Sequence, residues 1–190
     1  MTDICVIGSL NVDVSYRMHR LPVAGETVLA TDRARAFGGK GGNQAVAVAA
    51  LGAEVSFVGA VGADAAGRSY LEHLRTAGIE ASGVREIPGV DTGAAMILVD
   101  DLGENLIIVD PGANSRLEPQ SVEGSIRAHE PTVLLAQLEV PIAALEAAVA
   151  AVDARTIVVL NPAPMPADPT LLAGALRRVD VLVPNRRELG

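Results

Sequence analysis

The chain carries 15 basic residues, of which 14 are Arg and one is Lys, and that lysine sits in Gly38-Gly39-Lys40-Gly41-Gly42-Asn43-Gln44. Four glycines around one ammonium allow backbone amides to approach a ligand closely. A helical pattern follows at once, and a helix N-terminus adds free N–H groups and partial positive charge. Such a turn suits an anion; with Asn43 it suits a polyhydroxylated ligand as well. A flexible turn bearing a surface lysine is the plainer alternative. No Ser or Thr follows Lys40 to hold magnesium, so this is not a Walker A loop. No buried strand immediately precedes it, so it does not open a dinucleotide-binding unit.

A second group lies in Gly8-Ser9-Leu10-Asn11-Val12-Asp13, after a short apolar run. Asn11 and Asp13 are two apart, so on extended chain they share a side. They could grip a pair of hydroxyls, or serve as turn formers. Glu139 follows a later apolar run, Asn161 follows the next, and Asn185 the one after. Each would stand at the carboxyl end of a strand, where open α/β sheets bind ligands. Glu139 could accept from a hydroxyl or be an acid beside a helix start. Three successive strands delivering polar residues to one rim is more than turn formation predicts. His19, His73 and His129 show no metal-ligand spacing, and no G-x-S-x-G elbow is present.

These residues need a scaffold. Ile4-Cys5-Val6-Ile7 reads as a buried parallel strand closed by Gly8-Ser9. A helix over 43–51 stops at Gly52, Val55 to Val58 is a strand, and Asp64 caps a helix running to about Ala77 before Gly78. From Glu118 onward helices near 118–128, 141–152 and 169–178 alternate with strands at 132–136, 156–160 and 180–183. That rhythm indicates βαβ units and a parallel sheet. Residues 12–35 and 92–109 alternate polar and apolar, the latter as a hairpin across Asp100-Asp101-Leu102-Gly103, and they suggest a separate small sheet. Asn185 with Glu188 has the spacing of a helix cap and its N3 carboxylate. The chain reaches Gly190 with barely one further turn, so it reads as cut within a structural unit; a natural end that frays is the alternative.

Composition bounds the partners. With 190 residues, 49% hydrophobic and 20% charged, the chain suits about one globular domain. A net charge of −8 argues against nucleic acid as a partner, and two Tyr, two Phe and no Trp argue against base-stacking platforms. The 31 alanines suit close packing of helices on a sheet. The single Cys5 excludes an internal disulfide framework. No apolar run is long enough for a membrane span and no signal peptide is evident, so a cytoplasmic location is expected.

Taken in order, Val6 to Asp13, Gly38 to Ala45, Val61 to Gly67, Asp110 to Asn114, Gln137-Leu138-Glu139, Asn161-Pro162-Ala163-Pro164 and Pro184 to Glu188 resemble the PfkB family of carbohydrate kinases across the whole chain. The Gly-Lys turn, Gln-Leu-Glu and Asn-Pro-Ala-Pro favour its ribokinases over its fructokinases and adenosine kinases. The resemblance implies an α/β fold: a Rossmann-type three-layer sandwich with a mostly parallel sheet. Residues 1–190 would be the N-terminal part of a single domain, and the strands within 12–35 and 92–109 a β-sheet lid and homodimer contact. It further implies that Asn11, Asp13, Gly39, Lys40, Asn43 and Glu139 contact the sugar, that Asn185 approaches the nucleotide phosphates, and that Glu188 helps organise Mg2+. The implied reaction is transfer of the ATP γ-phosphate to the 5-hydroxyl of D-ribose, giving D-ribose 5-phosphate and ADP. The family's second signature, Asp-Thr-x-Gly-Ala-Gly-Asp, supplies an anion hole and the carboxylate that takes the hydroxyl proton. It is absent here; Asp91-Thr92-Gly93-Ala94-Ala95 lacks its final Gly-Asp. The catalytic Asp, most of the nucleotide pocket and a K+ site are therefore expected beyond Gly190, and this stretch alone is expected to be inactive. A non-catalytic sugar-binding or dimerising module, or another sugar or nucleoside kinase, are the other readings.

Overall fold

The computed structural model describes residues 3–186. The chain begins with β1 (Asp3–Ile7), then β2 (Asn11–Arg17), β3 (Asp32–Gly38), helix α1 (Lys40–Ala50), β4 (Glu54–Gly62), α2 (Ala65–Thr76) and β5 (Glu80–Ile87). It continues with β6 (Gly93–Val99), β7 (Asn105–Asp110), α3 (Pro119–His129), β8 (Val133–Ala136), α4 (Ile142–Ala151), β9 (Ile157–Leu160), α5 (Ala173–Leu176) and β10 (Val181–Leu182). Six strands form one sheet in the order β10-β9-β8-β1-β4-β5, every pair parallel. A second sheet has the order β3-β2-β6-β7, with β2 parallel to β6 and antiparallel to β3.

Side-chain alternation along the central strands builds the layers. Cys5 and Ile7 of β1, with Val58 and Ala60 of β4, face Val122 and Ile126 of α3 and Leu145 and Ala148 of α4. Val6, Phe57 and Val61 point the other way, onto Ala45 of α1 and Tyr70, Leu71 and Leu74 of α2. The result is helix, sheet, helix. Each fully buried large side chain, such as Phe57 or Leu134, contributes roughly 2 kcal/mol relative to exposure. Small residues such as Ala45, Ala144 and Ala148, all fully buried, let the helices sit close. Among the described residues no helix is long and apolar enough to cross a membrane.

Three local features depart from the sequence pattern. Strand β5 lies where no element is expected, because Glu80, Arg85 and Glu86 dilute its apolar signal; it is an edge strand, so those charges stay in water. Helix α1 starts at Lys40, not Asn43, so Gly41 and Gly42 lie inside its first turn. The expected helix over 169–178 is a 3-10 turn at Pro169–Leu172, capped by Asp168, running into the four-residue α5.

One capping residue does two jobs. Asp64 at the start of α2 accepts from the Gly67 amide at 2.6 Å and from the Thr92 hydroxyl at 2.7 Å with one oxygen, and from the Thr92 amide at 2.8 Å with the other. Thr92 directly precedes β6, so the cap also ties the second sheet to the first. Burial raises the Asp64 pKa, but these hydrogen bonds outweigh it and hold the carboxyl below its ordinary range.

Candidate functional site

All six parallel strands present their carboxyl ends at one edge, and the chain crosses to the second sheet there. The turn after β1 carries Ser9, 1% exposed, whose hydroxyl donates to Glu139 Oε2 at 2.5 Å. The Lys40 amide donates to the same oxygen at 2.9 Å. Glu139 follows β8, yet its carboxylate caps α1, where the free amides favour negative charge. Gly39 between β3 and α1 has φ +85°, a left-handed conformation suited to glycine. Gly41 has a different reason: a Cβ there would lie 2.7 Å from the Gly8 Cα. The glycines of this turn are demanded by packing more than by mobility.

The Lys40 ammonium stands 3.9 Å from Glu139 Oε1, with its side chain 40% exposed. At that separation the ion pair is worth under ~1 kcal/mol. The hydroxyl and amide bonds to Glu139, each charge-assisted, are worth about 1.5–3 kcal/mol. Glu139 is therefore fixed by Ser9 and the helix start more than by the Lys40 ammonium.

Asn11 and Asp13 enter from β2. The Asn114 side chain, 1% exposed, donates to Asn11 Oδ1 at 2.8 Å and accepts from the Leu10 amide at 2.9 Å. Asn11 is thereby held with its oxygen committed; its amide nitrogen has no protein hydrogen bond among the described residues. The Asp13 carboxylate lies over Gly38, with Oδ2 2.1 Å from where a Cβ would be. Asp13 Oδ1 is enclosed and has no hydrogen-bond partner among the described residues. Burial, and then the charge of Glu139, raise the Asp13 pKa above its ordinary value. Ser56 Oγ and Gln137 Oε1 share this lack of a partner, but of the three only Asp13 is a charged group.

A cavity of about 410 Å³ opens beside Asn11 and Glu139, lined also by Ser9, Asn114, Leu138 and Val109 of β7, while Asp13, Gly39 and Lys40 lie outside its lining. That volume is within the range for small-molecule sites. A larger cavity, about 760 Å³, lies at the opposite edge, lined by Arg127, Glu130, Asp153 and Arg155. Among the described residues no group of three or more His, Cys, Asp or Glu could hold a metal ion.

The sequence-derived residues separate into two sets. Asn11, Asp13, Gly39, Lys40 and Glu139 converge at this edge. Asn43 is exposed on α1, with its amide donating to the Gly39 carbonyl at 3.0 Å. Asn161 is occupied structurally: its Nδ2 donates to the Val183 carbonyl at 2.8 Å and ties β9 to the segment after β10. Asn185 follows β10, two strands from β8 and so about 10 Å along the rim. Glu188 lies outside the described residues. Ser9 and Asn114, which hold Glu139 and Asn11, have no role in the sequence reading, although both fall within its quoted motifs. A buried hydroxyl or amide that holds another side chain leaves no periodic signal.

The family model for pfkB carbohydrate kinases matches residues 1–190. The chain belongs to the PfkB family. A ribokinase of Staphylococcus aureus is 37% identical over 191 residues, covering 97% of this chain and 61% of the relative. The ribokinase of Cryptococcus neoformans var. grubii, solved with ADP, superposes with TM-score 0.87 at 32% identity, covering 100% of this chain and 60% of that one. Arabidopsis thaliana ribokinase complexed with ribose and ATP gives 0.83 at 31% identity, covering 100% and 62%. This PfkB chain thus spans about three fifths of the length of these relatives, and its mixed fold of a parallel sheet with a separate small sheet is theirs.

Proposed function

We propose that the protein carrying this chain is an ATP-dependent sugar kinase acting on D-ribose at its 5-hydroxyl. The half-buried Asp13 carboxylate, whose Oδ1 has no hydrogen-bond partner among the described residues, carries the reading together with Asn11, Lys40 and Glu139 beside it. Asp13 accepts from two sugar hydroxyls, the Asn11 amide donates to a third oxygen, and Lys40 with the amides at the start of α1 covers the remaining polar edge. Gly39 brings backbone against the ligand. Asn43 completes the set if its exposed side chain turns inward from the first turn of α1.

Asn185 serves the nucleotide side of the rim; a spacing of about 10 Å from Glu139 leaves room for a pentose between them. Mg2+ supplies neutralisation of the phosphates when bound, and Glu188, proposed to organise it, lies outside the described residues. The Asp-Thr-x-Gly-Ala-Gly-Asp pattern that would supply the proton acceptor for the sugar hydroxyl is not among these 190 residues, so no residue here is assigned that role or a K+ site. The second sheet acts as a lid. Exposed Leu106, Ile107, Ile108 and Val109 along β7 favour its also being a homodimer contact, which supports a sugar-binding or dimerising role for this stretch in isolation. The location is cytoplasmic.

Calorimetry with D-ribose, other pentoses and adenosine tests the substrate class, and a coupled ADP-release assay tests transfer. Ribose binding with ribose-dependent ADP release is expected of the protein carrying the chain. Preference for adenosine would make it a nucleoside kinase, and absence of any sugar binding would overturn the reading.

A further inference from the structure

Tyr70 lies on α2 in the core, 1% exposed, yet its hydroxyl reaches the junction where β3 becomes α1 and donates to the Gly38 carbonyl at 2.5 Å. The same oxygen occupies the space of a missing side chain: a Cβ on Gly42 would lie 2.0 Å from it, and 3.0 Å from the ring carbon that bears it. The ring is held in turn. Phe37, the residue before Gly38, meets it edge-on at 5.0 Å between centroids and stacks on His73 at 4.5 Å. Burial, with the nearby Asp13 charge, raises the phenol pKa, so the hydroxyl stays a donor.

The groups this contact fixes are those of the proposed sugar site. Gly38 lies directly beneath the Asp13 carboxylate, and two residues on, the Lys40 amide meets Glu139. A shift of the Gly38 carbonyl therefore moves the floor under one ligand group and the backbone next to another.

Resting on the sugar-kinase reading, we propose that Tyr70 is a positioning residue for sugar binding: its hydroxyl, docked on Gly38 and filling the place of a side chain at Gly42, sets the β3–α1 junction and so aligns Asp13 with the Lys40 turn. The residue touches no ligand itself; it acts through Gly38 and Gly42.

The test is a double-mutant cycle in the protein carrying the chain, read by ribose Kd in calorimetry and by melting temperature. Tyr70→Phe is expected to weaken ribose binding about threefold to tenfold, the effect of one hydrogen bond. Gly42→Ala, which pushes the hydroxyl away, weakens it similarly, and the double variant is no weaker than the worse single one, because both break the same contact. Ile126→Val, on the opposite face of the sheet, lowers the melting temperature without moving Kd, which separates positioning from general destabilisation. An unchanged Kd in folded Tyr70→Phe, or losses that multiply in the double variant, overturns the proposal while the sugar-kinase reading stands. If the unsubstituted protein binds no sugar, that reading fails and the positioning role with it, whereas coupling in the melting cycle still reports the Tyr70–Gly42 contact.

Discussion

Glu139 caps a helix that begins 99 residues before it: the Lys40 amide donates to its carboxylate at 2.9 Å, and the Ser9 hydroxyl donates to the same oxygen. Three separate segments are locked by one side chain, which makes their contributions separable by mutation. Ser9→Ala frees Glu139 and is expected to cost about 1–2 kcal/mol in urea unfolding and to weaken sugar binding. Lys40→Ala is expected to weaken sugar binding while changing stability by less than about 0.5 kcal/mol, because its ion pair is long and half-exposed. Equal stability losses in the two variants would refute this division.

If Asp13 holds the sugar as proposed, sugar affinity should depend on pH. On that reading the ionised carboxylate accepts from two hydroxyls, and its pKa is raised by burial and by Glu139. Affinity should therefore fall on acidification at a pH above the usual carboxylate value of about 4. Glu139→Gln removes the like charge and should move that acid limb downward. Calorimetric titration with ribose across pH, in the parent and in this variant, measures both.

On the same reading Asp13 would set affinity against stability. The folded state holds the Asp13 proton more tightly than the unfolded chain does, so its ionisation lowers stability as pH rises through the raised value. Asp13→Asn should accordingly raise the melting temperature at neutral pH and abolish measurable sugar binding. A lower melting temperature would contradict the assignment of Asp13 as a half-buried charge without a hydrogen-bond partner at Oδ1.

Asp64 has the opposite sign. Its pKa is lowered in the fold, so its contribution is present above the unfolded carboxylate value and is lost as pH falls through the folded one. Asp64→Ala removes a helix cap and the tie to Thr92 and should cost about 2 kcal/mol near pH 7. The difference from the parent in denaturant unfolding should shrink below about pH 4.

Cys5 is fully buried, and burial pushes its thiol up to about 12. A thiol reagent at neutral pH should label it only at the rate of unfolding. Rapid labelling of the native protein would mean that β1 opens locally.

Legibility in the sequence followed physical cause. The central strands were readable because burial on both faces makes continuous apolar runs, as in Ile4 to Ile7. The Gly-Lys turn was readable because four glycines in five positions are costly anywhere else. Strand β5 was not, since an edge strand keeps charges such as Arg85 in water and loses its contrast. Among site groups, Asp13 and Lys40 stand out by type and place. Ser9, Asn114 and Tyr70 do not, because each acts on a partner about 30 to 130 residues away, and only folding brings them together.

The two sheets are joined by short chain segments at a single edge, the edge that also carries the Asp13 and Lys40 groups. A ligand bridging Asp13 of β2 and the start of α1 is then a non-covalent strut among covalent ones. Its binding energy is spent partly on suppressing excursions in which the second sheet peels off the first. Amide hydrogen exchange in β2 and β6 should slow with added ribose in proportion to site occupancy, while exchange in β8 and β9, on the far side of β1, stays as it was. The rim would thus set the lifetime of an entire sheet as well as the affinity for a small molecule.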